Sequence, residues 1–418
     1  MKKTTKSKTR TQKKSSNPVG KVRRVYLDYA AATPVSALAQ KAVMETSKKF
    51  FGNPSAIHKE GKDARASLES ARAVVAEALA ARPDEIIFTS GATEANNTAF
   101  MGVVQSAGIR GLARPHIIIS AIEHPSVLET VKALERYGMR VDYLSVDSRG
   151  LIDTKELRKL ITPETVLVSV MYANNEIGTI EPITDIAREV RHARKMNGSA
   201  YPYFHTDASQ AANYLDINVL RLGVDMMTIS SGKTYGPRGI GALFVKRGVE
   251  MSPLMYGGEH EAGRRPGTES VALAQGFAVA LAEARKMSVK EGKRVAKLRD
   301  ALSTKILKKV SGTSVNGDLG YSLPNILNIS FDGVESEALV LYLDAAGIAV
   351  SGKSACKSSS EGPSHVILAI GKASDNQSGA IRFSLGRDTK NVDIVRVANE
   401  VIRVVPLLRE AREQSDLI

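Results

Sequence analysis

The sequence predicts an α/β protein, with a large domain built on a mostly parallel sheet and a smaller α+β domain after it. Three observations carry this. Short apolar runs alternate with amphipathic helical stretches between residues 64 and 246. Several of those runs end in small or polar residues, as strands leading into helices do. A long charged helical region, residues 273–310, then separates this alternation from a second group of strand-like runs. Of 418 residues, 43% are hydrophobic and 24% charged, which is ordinary for a globular chain. The length calls for two or three core units, or one large α/β unit with a smaller one.

Taken in order, Ala64, Leu68, Ala71, Val75 and Leu79 recur on one helical face, and Pro83 closes that helix. Ile86-Ile87-Phe88 reads as a strand ending in Thr89-Ser90-Gly91. Further strands are expected at His116–Ser120, Val141–Val146, Val166–Tyr172, Tyr203–Thr206, Met226–Ser230 and Ala242–Lys246. Beyond the long helix, Ile326–Phe331, Ala349–Ser351 and Ile381–Leu385 are strand-like. The expected division is a disordered basic tail over 1–24 and an N-terminal segment over 25–42 that packs with the small domain. The large domain follows over 43–275, and the small domain over 276–418 includes the loop around Cys356.

Composition excludes several classes. No apolar run approaches the roughly 18–20 residues that cross a bilayer. The single cysteine, Cys356, rules out an internal disulfide framework, a CxxC motif and a multi-cysteine zinc site, and fits a reducing compartment. The net charge of +14 is concentrated in residues 1–24, which hold ten Lys and Arg and no acid. The remainder has 48 basic against 44 acidic residues. This tail reads as a solvated arm, with weak nonspecific affinity for RNA from charge alone. It has no apolar stretch for a secretory signal, and it is Lys-rich without an apolar helical face. Cytoplasmic residence is therefore expected, with organelle import the lesser reading.

Seven polar clusters stand at or near strand ends, where ligands bind in open α/β sheets. Ser90-Gly91-Ala92-Thr93-Glu94 offers glycine and a helix N-terminus to a phosphate, or a plain cap with Glu94 turned back. Glu123-His124-Pro125 places a histidine that stacks on a planar ring, moves protons or serves structure. Asn174-Asn175-Glu176-Ile177-Gly178 suits a turn. Asp207, after an aromatic strand, is a carboxylate in need of a partner, either a protonated pyridine nitrogen or an arginine. Ser230-Ser231-Gly232-Lys233 starts a glycine-rich turn that matches neither a P-loop nor GxGxxG, and its lysine is a Schiff-base candidate or a surface residue. Cys356 sits between Lys353 and Lys357 in a small-residue loop, a setting that favours thiolate. Arg382, in a short apolar run, suits bidentate capture of a carboxylate or an internal ion pair. Together these are what pyridoxal phosphate chemistry on an amino acid requires.

The strings LDYAAATP, FGNPSAIH, FTSGATEANN, EHPSVL, YANNEIGT, HTDASQ, SGKTYGPRGIGALFV, GGEHEAGRRPGTE, SGKSAC and IRFSLGR occur in this order. With them the chain resembles the cysteine desulfurases of the NifS/IscS type, within the class V aminotransferase-like pyridoxal phosphate enzymes, from Val25 to Thr389. The resemblance implies the aspartate aminotransferase-like fold, fold type I, and a homodimer. It implies a Schiff base between pyridoxal 5'-phosphate and Lys233, which later moves protons at the substrate α-carbon. His124 is implied to stack on the ring and assist proton transfer, Asp207 to pair with the pyridinium nitrogen, and Gln210 to reach the phenolic oxygen. Ala92, Thr93 and Ser230 are implied phosphate ligands, with Thr268 reaching the phosphate of the partner subunit. Asn175 is implied beside cofactor and substrate, and Arg382 on the substrate carboxylate.

Cys356 is implied to attack the sulfur of L-cysteine, leaving alanine and a persulfide. That sulfur would pass to an iron–sulfur scaffold or another acceptor protein, and the pathway extends to tRNA thiolation. No dedicated metal site is implied; Cys356 is at most a transient iron–sulfur ligand. One departure stands out. The family carries His before the Schiff-base lysine, and here Gly232 takes that place, removing a phosphate donor. The alternatives are a selenocysteine lyase, a cysteine sulfinate desulfinase, or an inactive cofactor-fold binding scaffold.

Overall fold

A sheet covered by helices on both faces needs strands that are apolar throughout. The computed structural model, which describes residues 23–352, 364–372 and 378–415, has such a sheet. After a short β1 (Val25–Tyr26) come β2 (Ile86–Thr89), β3 (His116–Ser120), β4 (Arg140–Leu144), β5 (Thr165–Ser169), β6 (Tyr203–Asp207), β7 (Met226–Ser230) and β8 (Gly241–Val245). The seven strands β2 to β8 form the large sheet in the order β2-β8-β7-β6-β5-β3-β4. The order is mostly parallel, as expected; β8 alone runs antiparallel to both its neighbours. β2, β3, β5, β6 and β8 are buried at every position. The edge strand β4 is mostly solvent-accessible and carries Arg140 and Asp142, which discourages further pairing.

Alternate residues face opposite cores. Ile118, Val168, Phe204 and Met227 join Leu68, Val75 and Phe277 on one side. Ile117, Ile119, Leu167, Tyr203 and Met226 join Phe100, Val103 and Val131 on the other. A third core belongs to the smaller sheet of β9 (Thr313–Val315), β10 (Ile326–Asp332) and β12 (Ser378–Ser384), antiparallel in the order β12-β10-β9. The helices Ser336–Ala345 and Asn391–Ser415 cover it, and Phe331, Leu339, Phe383 and Val401 meet there.

The helix Val271–Lys309, 39 residues long, links the two domains. Phe277, Ala278 and Leu281 sit in a large-domain core, whereas Val295, Leu302 and Ile306 sit in the small-domain core. The handover therefore falls inside this helix, between Leu281 and Val295, and not at 275/276. The segment 25–42 also divides. β1 pairs in parallel with β11 (Ile348–Ala349), and Val25 and Leu27 join the small-domain core. The helix Ala37–Lys49 instead begins within the segment and packs on the long helix, where Val43 abuts Gly276. Arg23 and Arg24, expected in the tail, dock on Asp393 and Asp344. Residues 1–22 lie outside the described residues.

Smaller differences have local causes. β12 begins at Ser378, not Ile381, because its pairing with β10 runs from Asp332↔Ser378 to Ile326↔Ser384; its polar start does not read as strand. Ser351 is outside β11 and bridges to Arg382 instead.

The long helix is held by large apolar side chains, and Phe277 is fully buried. Phe277→Ala is expected to destabilise the protein by about 3–5 kcal/mol, read as a lowered urea midpoint.

Candidate active site

The chain leaving β2, β3, β5, β6 and β7 at their carboxyl ends opens on one cavity of about 360 Å³. Its wall contains Ala92, Thr93, His124, Asn175, Asp207, Gln210, Ser230, Lys233 and Arg382. The fold thus brings together the expected site residues of one subunit except Cys356, which lies outside the described residues, as does the rest of its loop, 353–363. Thr268 is elsewhere: it lines a separate cavity of about 190 Å³ with Arg265 and Glu269, and Ser90 is common to both.

Each residue owes its place to its local element. The helix Ala92–Ile109 starts at Gly91, which has no side chain to cap its first N–H groups, so they are left for an external acceptor. Glu94 turns back to accept from the Ser90 N–H (2.7 Å), which precedes the helix, so this bond leaves the first helical N–H groups open and the plain-cap reading does not hold. In the turn after β5 the side chain of Asn174 accepts from the N–H groups of Glu176 and Ile177 (2.8 and 2.9 Å). Asn174 makes the turn, and Asn175 lines the cavity.

His124 caps the helix Pro125–Arg136, with Nδ1 accepting from the Ser126 N–H (3.1 Å). Burial pushes its ring below the usual imidazole range; Asp207 opposes this, and Lys233 and His365 reinforce it. The adjacent Glu123 is fully buried, which raises its pKa well above the carboxylate range and favours a neutral acid. Its Oε1 accepts from Ser120 Oγ and the Met171 N–H. Asp207, at the end of β6, is 6% exposed and accepts from the Ser209 N–H (2.9 Å) and Asn96 Nδ2 (2.8 Å).

Lys233 ends a single helical turn after β7 and sends Nζ to the carbonyls of Ala30 (2.8 Å) and Ala31 (2.6 Å). Tyr235 follows with φ of 61°, a conformation rare for a bulky residue. It is held because its hydroxyl accepts from the Arg387 N–H and the Arg387 guanidinium lies 3.9 Å from the ring centre. Gln210 donates to the Ala30 carbonyl (2.9 Å). Arg382 donates Nη2 to Asp28 (2.8 Å) and Nη1 to the Asn175 carbonyl (2.9 Å). Its Nε is buried with no partner among the described residues. The internal ion pair and the open donor are both present.

Sequence reasoning assigned no role to Asp28, Ala30, Ala31, Asn96 or Ser126. The string LDYAAATP contained the first three, but their partners lie about two hundred residues or more away. Asn96 and Ser126 sit inside the quoted strings FTSGATEANN and EHPSVL, and only the packed helices show what they touch.

A helix N-terminus, an amine, a buried carboxylate and a guanidinium meet around one parallel-sheet cleft. The sequence matches the family described as Aminotransferase class-V over residues 25–397. A cysteine desulfurase IscS of Dictyoglomus turgidum is 42% identical over 387 residues, covering 93% of this chain and 96% of that one. One from Methanosarcina thermophila is 40% identical, covering 92% and 93%. Among solved structures, a NifS-like protein superposes with a TM-score of 0.84 at 34% identity, covering 92% of this chain and 100% of that one. SspA in complex with cysteine superposes at 0.74 with 34% identity, covering 86% and 98%. This chain belongs to the aminotransferase class-V family and, within it, to the cysteine desulfurases. Enzymes of this family depend on pyridoxal phosphate.

The segment that carries Thr268 is tied down by one buried ion pair and by a half-buried one to Glu94 of the cavity wall. Arg72 makes two bonds to Glu261 (2.6 and 2.7 Å), whose carboxylate also accepts from the Phe88 N–H, and Arg265 pairs with Glu94 (2.7 Å). Both partners of the first pair are nearly inaccessible. Removing one buried partner strands the other's charge, so Arg72→Met is expected to cost about 3–5 kcal/mol. Arg72→Met/Glu261→Gln should recover part of that loss in thermal denaturation.

Proposed function

We propose that this enzyme converts L-cysteine to L-alanine and carries the sulfur as a persulfide on Cys356. An acceptor protein that builds iron–sulfur clusters would receive it, with tRNA thiolation a further destination. The observation that carries the reading is the meeting of Lys233, Asp207 and Arg382 in one cavity. A homodimer working in the cytoplasm completes the proposal, with Thr268 serving the phosphate of the partner subunit.

The residues present fit pyridoxal phosphate. Ser209 Oγ and Arg382 Nε, on cavity-lining residues, are buried without protein partners among the described residues, which suits a polar ligand. Lys233 would hold the aldehyde carbon and Asp207 the ring nitrogen. The first turn of the helix Ala92–Ile109, with Thr93 and Ser230, would hold the phosphate. Gln210 would reach the phenolic oxygen. When bound, the cofactor supplies an electron sink for the carbon from which sulfur departs.

The protein's own groups do the rest. Arg382 is held by Asp28 and the Asn175 carbonyl, and its Nε remains for the substrate carboxylate. His124, whose basicity burial lowers, would lie against the ring and move protons beside it. Lys233 Nζ moves the proton at the substrate α-carbon. The Cys356 thiolate attacks the substrate sulfur: an S–S bond forms, the C–S bond breaks, and the carbon keeps the electron pair and takes a proton. A second acceptor thiol then removes the sulfur.

Alanine release from L-cysteine, with a thiol reductant, is expected from the wild type and lost in Cys356→Ala. Alanine release unchanged by that substitution would favour a lyase that does not use the thiol. No release from a cofactor-saturated wild type would sink the reading.

At Gly232 the nearest atom to an added Cβ is Arg238 Cγ at 3.6 Å, so a larger side chain can start there without a clash. Gly232→His is expected to retain pyridoxal phosphate several-fold longer than the wild type during dialysis. The cofactor's absorption band reads this, and equal retention would show that the missing imidazole is already replaced.

A further inference from the structure

Asp207 and His124 stand on different elements, yet one run of hydrogen bonds joins them. Asn96, on the helix Ala92–Ile109, is fully buried. Its Nδ2 donates to Asp207 Oδ2 (2.8 Å) and to Ser126 Oγ (2.8 Å). Ser126 Oγ in turn lies 2.8 Å from His124 Nδ1. A carboxamide NH₂ has two hydrogens, and these two contacts use both. The opposite orientation of the amide would aim Asn96 Oδ1 at the Asp207 carboxylate, so the acid decides which way Asn96 faces.

That orientation gives the run a direction. Ser126 Oγ accepts from Asn96, and its own hydrogen is then available to His124 Nδ1. The Ser126 backbone N–H also points at Nδ1 (3.1 Å) and is always a donor. Nδ1 therefore faces two donors, and the proton of a neutral ring belongs on Nε2. A second proton at Nδ1 would meet the backbone N–H head-on.

We propose that Asn96 and Ser126 are positioning residues: they join the Asp207 carboxylate to His124 so that the ring is held as its Nε2–H tautomer while Asp207 is aimed at a cationic ring nitrogen. The pairing rests on the reading of the cavity as a pyridoxal phosphate site. Its physical advantage is coupling. One buried amide sets both the carboxylate that faces the cofactor ring and the tautomer of the imidazole beside it. The burial that lowers the basicity of His124 acts in the same sense as the two donors. The titratable groups that act on His124 are Asp207, which favours a second proton, and Lys233 and His365, which oppose it.

The test is ¹⁵N NMR of histidine-labelled, cofactor-saturated protein, with the His124 signals assigned by their loss in His124→Gln. Wild-type His124 is expected as the Nε2–H tautomer. Ser126→Ala removes one donor from Nδ1, so His124 should titrate about one pH unit higher, the equivalent of one net hydrogen bond. Ser126→Thr should restore the wild-type titration, which a role in packing alone would not require. Asn96→Ala should shift His124 in the same direction and shorten cofactor retention during dialysis. Should Asn96→Ala fail to fold, the Ser126 pair still decides the matter. A wild-type ring protonated at Nδ1, or one whose titration ignores Ser126→Ala, overturns the proposal. The tautomer is read without turnover, so loss of alanine formation in the wild type would refute the proposed reaction while leaving this result to stand separately.

Discussion

Lys233 and Arg382 belong to different domains, and the segment from Val25 to Thr33 is what lies between them. Its strand adds to β11 in the small domain, and Asp28 takes the Arg382 guanidinium. The carbonyls of Ala30 and Ala31 then hold Lys233 Nζ, and Thr33 meets the Gly232 backbone. Val25 and Leu27 join the third core, and Ala30 joins a small cluster with Leu323 and Ile326. A chain that lost this segment would also lose the groups that orient its amine and its guanidinium. The active cavity therefore depends on a few polar contacts across a domain boundary more than on the bulk of the apolar packing.

Charge is treated in two ways around the cavity. Arg72 with Glu261 and Arg265 with Glu94 are paired, and they tie down the Thr268 segment. A buried pair such as Arg72–Glu261 contributes little net stability but is costly to break, so it holds geometry. Inside the cavity, among the described residues, Asp207 accepts from the neutral donors Asn96 and Ser209, and Arg382 keeps one buried donor without a protein partner. A site that leaves such groups incompletely matched is prepared for a polar ligand that completes them.

The long helix Val271–Lys309 and the parallel sheet supply the rigid background. Helix and sheet bury opposite ends of one rod in two cores, which fixes how the domains meet. Against that background Tyr235 is held in a left-handed conformation beside Lys233, with Arg387 from the small domain stacked on its ring. The same contact links the lysine turn to the small domain.

Much of this was legible in the chain itself. Apolar runs such as His116–Ser120 and Met226–Ser230 are local signals, and they mark the strands whose ends carry His124 and Lys233. The ordered strings from LDYAAATP to IRFSLGR name the family, and with it the roles proposed for Asp207, Gln210 and Arg382. Alternation and motif spacing are one-dimensional properties, so the sequence by itself determined the fold class, the family and most of the cavity wall. It did not reveal that Asn96 bridges Asp207 and Ser126, that Asp28 occupies Arg382, or that the domains change hands within a helix. Those facts depend on which face of each element meets which neighbour, across separations of up to 354 residues. Only the packed tertiary structure decides that, because hydrogen-bond direction and burial are set by neighbours in space and not by neighbours in sequence.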